Sequence, residues 1–336
     1  MSEQTAPRTV VVALGGNAIT RNGQSGTYEE QLENALGMAG AVCALRAAGW
    51  RVVIVHGNGP QVGNLAIQQD EAAHRVPRLP MFILDAMTEG QLGSLLTLAL
   101  HEVGGPELPG VVSMITHVVV DGADPAFARP TKPVGPFMSP EEAQQRATEL
   151  GWTVAEDSGR GYRRLVPSPQ PAQIVEIEAV RGLVDLGMIV IAAGGGGVPV
   201  VVDGALYRGV DAVIDKDIAA QRLASALGAE ALLLVTDIER VMLDYGTDRA
   251  RSIGTMSVDE AQTHADDGQF PEGSMGPKVR GAIQFLREGG STAVITNAAL
   301  AVASLSGVAE AGTTIVAAPA HPPAVSPADH SLGALT

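Results

Sequence analysis

The sequence predicts an α/β fold: a three-layer sandwich with a mainly parallel central sheet, from which a smaller subdomain protrudes. Three observations lead there. Residues 9–14, 51–55, 189–193 and 231–237 read as strands built on apolar runs, several rich in β-branched side chains, as expected of parallel strands buried on both faces. Helical spacing fills the interval between the first two runs, giving a right-handed strand–helix–strand unit. From 121 to 171 the texture changes, with prolines recurring from Pro125 to Pro171, which reads as an insertion standing off the sheet. The 336 residues suit about two domains or one large one. The reading adopted is a single domain over 9–317, with 121–171 as a lid-like subdomain and 318–336 as a Pro/Ala-rich, disordered tail.

Taken in order, the first strand ends in Gly15-Gly16-Asn17. Thr27-Tyr-Glu-Glu30 is a capping box opening a helix whose apolar positions (Leu32, Leu36, Ala39, Val42, Cys43, Ala47) share one face until Gly49 stops it. The second strand runs into the loop Gly57-Asn-Gly-Pro-Gln-Val-Gly63. Helices are expected from Asn64 to about Ala73 and from Phe82 to about Val103, and a strand from Val111 to Val120. Within the insertion one helix stands out: Ser139 is its N-cap, Pro140 its first residue, and Glu141 and Glu142 lie in its first turn. Lys132 falls on a proline-stiffened loop. An amphipathic helix over 174–187 returns to the sheet. A strand and four glycines (Gly194 to Gly197) follow, and then Asp215-Lys216-Asp217 opens a helix. Ser257-Val-Asp-Glu260 is a second capping box. Pro277 and Lys278 begin another helix, 292–297 is a strand, and 312–317 is expected as the final edge strand.

Composition narrows the function. A formal charge of −15 argues against nucleic acid or an anionic membrane as partner. The single Cys43 rules out an intrachain disulfide framework and suits a reducing cytoplasm. No apolar run approaches membrane-spanning length. The loop after the second strand is one residue too long for a dinucleotide fingerprint, and Pro60 removes one of its N–H groups. No G-x-x-x-x-G-K-[ST] is present, which excludes a P-loop.

Of 22 basic residues only Lys132, Lys216 and Lys278 are lysine. Arginine has taken almost every other cationic position, so a retained lysine marks a place where a compact ammonium is wanted. Lys278 in a helix's first turn runs against the helix dipole, which a bound anion would explain. Glycine loops and a helix N-terminus both favour anions. Fixed positive charge with aimed N–H donors, and no nucleophilic Ser/His pair or metal cluster, is what phosphoryl transfer requires. Asp217 is the carboxylate expected to keep the lysines protonated and aimed.

Val12-Ala-Leu-Gly-Gly-Asn-Ala18, His56-Gly-Asn-Gly-Pro-Gln-Val-Gly63, Thr131-Lys-Pro-Val-Gly-Pro-Phe137, Gly194-Gly-Gly-Gly-Val-Pro199, Val213-Ile-Asp-Lys-Asp217 and Gly273-Ser-Met-Gly-Pro-Lys278 together resemble the carbamate kinase family. The resemblance spans 9–317. It implies the amino-acid-kinase fold, a homodimer, and reversible transfer between ATP and carbamate, run toward ATP in arginine breakdown. It also implies Mg²⁺ with ATP or ADP, through ligands the sequence leaves unknown. By the same resemblance Lys132, Lys216, Asp217 and Lys278 are catalytic. Gly15, Gly16, Asn17, Gly57 and Asn58 surround carbamate, and Gly195, Gly196, Asp237, Tyr245 and Lys278 meet the nucleotide. Two alternatives stand beside it. One is another small-anion kinase of this fold, acting on a carboxylate or phosphonate; the other is a non-catalytic nucleotide-binding regulator.

Overall fold

The computed structural model describes residues 8–15, 19–21, 23–157 and 159–317. The expected disordered tail, together with Gly16 and Asn17, lies outside these. The first half comprises β1 (Thr9–Leu14), α1 (Tyr28–Ala47), β2 (Arg51–His56), α2 (Gly59–Ala72), α3 (Met81–Gly104), β3 (Val111–Ser113) and β4 (His117–Val120). The insertion supplies β5 (Lys132–Met138), α4 (Pro140–Leu150), β6 (Thr153–Glu156), β7 (Tyr162–Val166) and β8 (Pro171–Ile174). Then come α5 (Ile177–Asp185), β9 (Ile189–Ile191), β10 (Val198–Asp203), β11 (Leu206–Gly209), α6 (Lys216–Leu227) and β12 (Ala231–Val235). The chain closes with β13 (Met242–Leu243), β14 (Arg251–Ser252), β15 (Thr255–Ser257), α7 (Val258–Asp266), α8 (Met275–Arg287), β16 (Thr292–Thr296), α9 (Ala301–Leu305) and β17 (Thr313–Val316).

The main sheet has eight strands in the order β15-β17-β16-β12-β1-β2-β9-β3, and every pairing is parallel except β16 with β17. Successive residues of β1 feed opposite cores because side chains alternate across a strand. Val10, Val12 and Leu14 pack with α1 and α3, whereas Val11 and Ala13 pack with α5, α6 and α8. Each fully buried Val or Leu contributes about 1.5–3 kcal/mol, so a core nearly without aromatics is not a weak one. These two cores and the sheet between them are the three layers.

Both capping boxes form, at Thr27 with Glu30 and at Ser257 with Glu260, and Ser139 caps α4. Four expectations need correction. Gly59 to Gly63 are not loop but the first turn of α2, with Pro60 near its start, where its missing N–H costs nothing. The single strand expected over 111–120 is two: β3 joins the main sheet, while β4 leaves it for a second sheet, β11-β10-β4-β8. Polar Ser113 and Thr116 mark the break. Lys132 opens a strand rather than sitting in a loop, because β5, β7 and β6 form their own antiparallel sheet beside α4. β17 is not at the edge, since β15 pairs outside it.

Candidate active site

The carboxyl ends of β1, β2, β9 and β12 converge, and in open parallel sheets that rim is where ligands bind. Gly15 N–H donates to Val235 O and Gly57 N–H to Leu14 O, each at 3.1 Å, locking these loops together. Beside them the glycine turn has left-handed φ values at Ala193 (51°), Gly195 (68°), Gly196 (108°) and Gly197 (84°). A Cβ on Gly194 would lie 2.2 Å from His56 Nε2, and one on Gly195 2.2 Å from Asn58 Nδ2. At Gly195 both the backbone conformation and the space therefore demand glycine, and at Gly194 the space does.

Across this rim stands the N-terminus of α6. Asp215 is its N-cap, with Oδ1 accepting from Asp217 N–H at 2.9 Å. Asp217 holds two ammoniums with its two oxygens: Lys216 Nζ is 2.6 Å from Oδ1 and Lys278 Nζ 3.0 Å from Oδ2. Lys278 comes from the first turn of α8, which packs against α6. Lys132 Nζ reaches in from the inserted sheet to Asp215 Oδ2 at 2.5 Å. Three ammoniums against two carboxylates leave one positive charge unmatched, beside a helix N-terminus that also favours anions.

Burial and pairing compete at each charge. Burial pushes the Lys216 ammonium down to about 8, against the pull of Asp217, and Lys278 beside it lowers it further. Burial also lowers Lys278, but Asp217 outweighs it and the ammonium ends above its ordinary value. Burial raises both carboxyls, yet the lysines prevail. Lys132 and Lys216 hold Asp215 below the usual carboxylate range, and Lys216 and Lys278 do the same for Asp217.

A second polar cluster lies beneath the glycine turn. Asn58 is the N-cap of α2 but makes no capping hydrogen bond, forgoing about 1 kcal/mol of helix stabilisation. Its Nδ2 instead donates to Asp85 Oδ1 at 3.1 Å and Thr88 Oγ1 at 2.9 Å, both on α3. One turn further along α3, Glu89 Oε2 accepts from Thr116 N–H at 2.9 Å. Burial raises the Asp85 and Glu89 carboxyls well above their ordinary range, against the hydrogen bonds they accept. Burial likewise pushes His56 down to about 4, so its ring is neutral at physiological pH.

Of the residues the sequence pointed to, Lys132, Lys216, Asp217 and Lys278 gather around α6. Gly15, Gly57, Asn58, Gly195 and Gly196 form the rim. Asp237 follows β12 and acts on Lys278 electrostatically. Tyr245 is not drawn into the cluster; it is 73% exposed. Asp215, Asp85, Thr88 and Glu89 were missed. The first sits in the same Asp-Lys-Asp triplet as Lys216, and its N-cap position was the available signal. Asp85 and Glu89 are acids four apart on the core face of a helix otherwise rich in Leu, Ala and Gly, where a charged residue is seldom fully buried.

Residues 8–297 match the amino acid kinase family profile. A carbamate kinase from Pyrococcus horikoshii is 45% identical over 306 residues, covering 90% of this chain and 97% of that protein. The chain belongs to the carbamate kinase family. A carbamate kinase from Giardia lamblia bound to citric acid superposes with a TM-score of 0.88 at 38% identity, covering 93% of this chain and 99% of that one. The same Giardia protein bound to AMP-PNP gives 0.85 at 38% identity, over 93% and 99% of the two chains. Both solved structures thus share the fold of this chain over nearly their whole length. Among the described residues no group of three or more His, Cys, Asp or Glu could hold a metal ion, and no helix is long and apolar enough to cross a membrane.

Proposed function

We propose that the enzyme catalyses reversible phosphoryl transfer between ATP and carbamate, giving ADP and carbamoyl phosphate. An oxygen of carbamate attacks the γ-phosphorus as the bond to the β–γ bridging oxygen breaks. Carbamate is already an anion, so no proton has to be removed and no general base is needed. What the reaction needs is positive charge where the equatorial oxygens gather negative charge. The observation that carries this reading is the single carboxylate, Asp217, aiming two buried ammoniums at 2.6 and 3.0 Å.

Lys216 and Lys278 then face the transferring group from the core, and Lys132 from the inserted subdomain. Gly15, Gly16, Asn17, Gly57 and Asn58 surround carbamate. Gly195, Gly196, Asp237, Tyr245 and Lys278 meet the nucleotide. Mg²⁺ enters with the nucleotide as part of the substrate, its ligands being largely phosphate oxygens and water. Residues 121–171 act as a lid that brings Lys132 over the acceptor. We place the enzyme in the cytoplasm, running toward ATP in arginine breakdown. A homodimer through the outer face of α3 fits the exposed stripe of Met87, Gly90, Ser94 and Leu98.

The test compares kcat/KM for ATP formation from ADP with carbamoyl phosphate and with acetyl phosphate at one Mg²⁺ concentration. The expected result is a preference for carbamoyl phosphate of at least about 100-fold, because a site that hydrogen-bonds an amine is left unpaired by a methyl group. Equal use of the two donors would instead favour a kinase for another small carboxylate.

A further inference from the structure

Asn58 behaves unlike an ordinary N-cap asparagine, and the reason lies in α3. The direction of its amide is fixed by proton accounting. The Thr88 hydroxyl donates to Asp85 O at 2.7 Å, so toward Asn58 it has only lone pairs to offer. The Asn58 atom 2.9 Å away must therefore be the nitrogen. The second amide hydrogen goes to Asp85 Oδ1. Both N–H bonds are thus committed into the protein, and Oδ1 is left with no donor among the described residues.

Its neighbours sharpen the point. Asp85 Oδ2, Glu89 Oε1 and His56 Nε2 are sealed from solvent without partners, but Asn58 Oδ1 is not among such sealed atoms. The whole amide lies against Gly195, whose Cβ would sit 2.2 Å from Nδ2 and 2.8 Å from Oδ1. Asn58 is 3% exposed, and with both amide hydrogens turned inward its Oδ1 is the atom of the amide left to accept at the rim.

We propose that Asp85, with Thr88, sets the polarity of the Asn58 amide and so makes Asn58 Oδ1 the atom that selects an acceptor substrate bearing an N–H group. This rests on the carbamate reading, since carbamate offers an –NH₂ that acetate and bicarbonate lack. Asp85 touches no substrate and is a positioning residue. Without it Asn58 keeps one partner instead of two. Its amide is then free to rotate, or to turn its –NH₂ toward the ligand, and an –NH₂ facing an –NH₂ makes no hydrogen bond. Burial favours the neutral carboxylic acid at position 85, so asparagine there is close in shape and charge.

The experiment measures kcat/KM for carbamoyl phosphate and for acetyl phosphate, with ADP, in wild type, D85A, D85N and T88V. In D85A the carbamoyl-to-acetyl ratio should fall by about 10- to 100-fold, the usual consequence of unpairing one buried polar contact, while KM for ADP stays within about 2-fold. D85N keeps an acceptor oxygen in place and should restore most of the ratio. T88V, which removes the other acceptor at nearly constant volume, should lower it several-fold and decides the matter if D85A does not fold. An unchanged ratio in D85A or T88V overturns the proposal. So does an equal loss with both donors, the mark of a merely structural role, or a D85N as impaired as D85A. A wild type without preference for carbamoyl phosphate would instead overturn the carbamate reading itself.

Discussion

The lysines around α6 are held in two different ways. Lys216 and Lys278 belong to helices packed on the central sheet; both are buried, and one buried carboxylate aims both. Lys132 belongs to the inserted sheet, its side chain is 29% exposed, and its partner, Asp215, is 21% exposed. The inserted subdomain meets the body through this ion pair, the pair of Arg146 with Glu71, the close approach of Gly63 to Gly135, and a small apolar cluster in which Val134 and Val166 pack with Val62, Ala66, Met81 and Leu84. A charge aimed by the core is in place whenever the protein is folded. A charge aimed by docking is in place only while the subdomain is docked.

The largest expected effect separates aiming from stability. Replacing Lys132, Lys216 or Lys278 by Ala should each lower kcat by about 10²- to 10³-fold, the cost of removing one charge from the transferring group. Stability should distinguish them. K132A breaks a partly exposed pair and should cost under about 1 kcal/mol. D217A would leave two buried ammoniums side by side and should cost about 3–5 kcal/mol. Urea denaturation of the four variants checks this, and a D217A as stable as K132A would erase the contrast between core and docked charge.

A smaller effect tests docking directly. A Cβ on Gly63 would lie 1.9 Å from Gly135 Cα and 2.1 Å from its N, which are backbone atoms that cannot turn aside. In G63A the inserted sheet must therefore stand off from α2, moving Lys132 away. Misplacement by about 1 Å can cost up to 10²-fold, so kcat should fall by about 10- to 100-fold. K132A in that background should then cost much less than in wild type, since both changes remove the same interaction. Full additivity would mean that Gly63 and Lys132 act separately.

The same division marks what could be read from the sequence. Strands buried on both faces declare themselves by apolar runs, so β1, β2 and β12 were legible nearly to the residue. Capping boxes at Thr27 and Ser257 needed only local chemistry. The inserted sheet was not legible, because β5 carries Pro133 and Pro136 and its ladder to β7 shifts register between Val134 and Met138. Prolines there read as loop. Lysine scarcity identified Lys132, Lys216 and Lys278, and Asp217 was expected to aim them, but which lysine meets which carboxylate was not legible. The Asp217 bridge joins residues 61 apart and Asp215 meets Lys132 across 83; such pairings follow from the packing of α6 against α8 and of the insertion against the body. Asp85 was hidden for a related reason, since its partner, Asn58, lies in a different element.

The last prediction concerns pH and the core lysines alone. Burial is the main cause that brings Lys216 down to about 8 in the folded enzyme, whereas in the unfolded chain it returns to about 10.5. The groups facing it are Asp217, Lys278 and Asp215. As pH rises through 8 the folded enzyme loses this charge, so kcat/KM, which reports the free enzyme, should fall about 10-fold per unit above that point. Stability should move the other way. Between about 8 and 10.5 the unfolded chain holds the proton that the folded state has released, and stability rises with pH wherever the unfolded state binds more protons. Lys278 is shifted upward and titrates beyond this window. Buried Asp85 and Glu89 are common to both proteins in a comparison of wild type with Lys216→Met, so their contribution cancels. The wild-type-minus-K216M stability should therefore climb between pH 8 and 10 while wild-type activity declines. A flat difference, or activity that holds to pH 10, would mean that Lys216 keeps its proton and that Asp217 outweighs burial at this site as it does at Lys278.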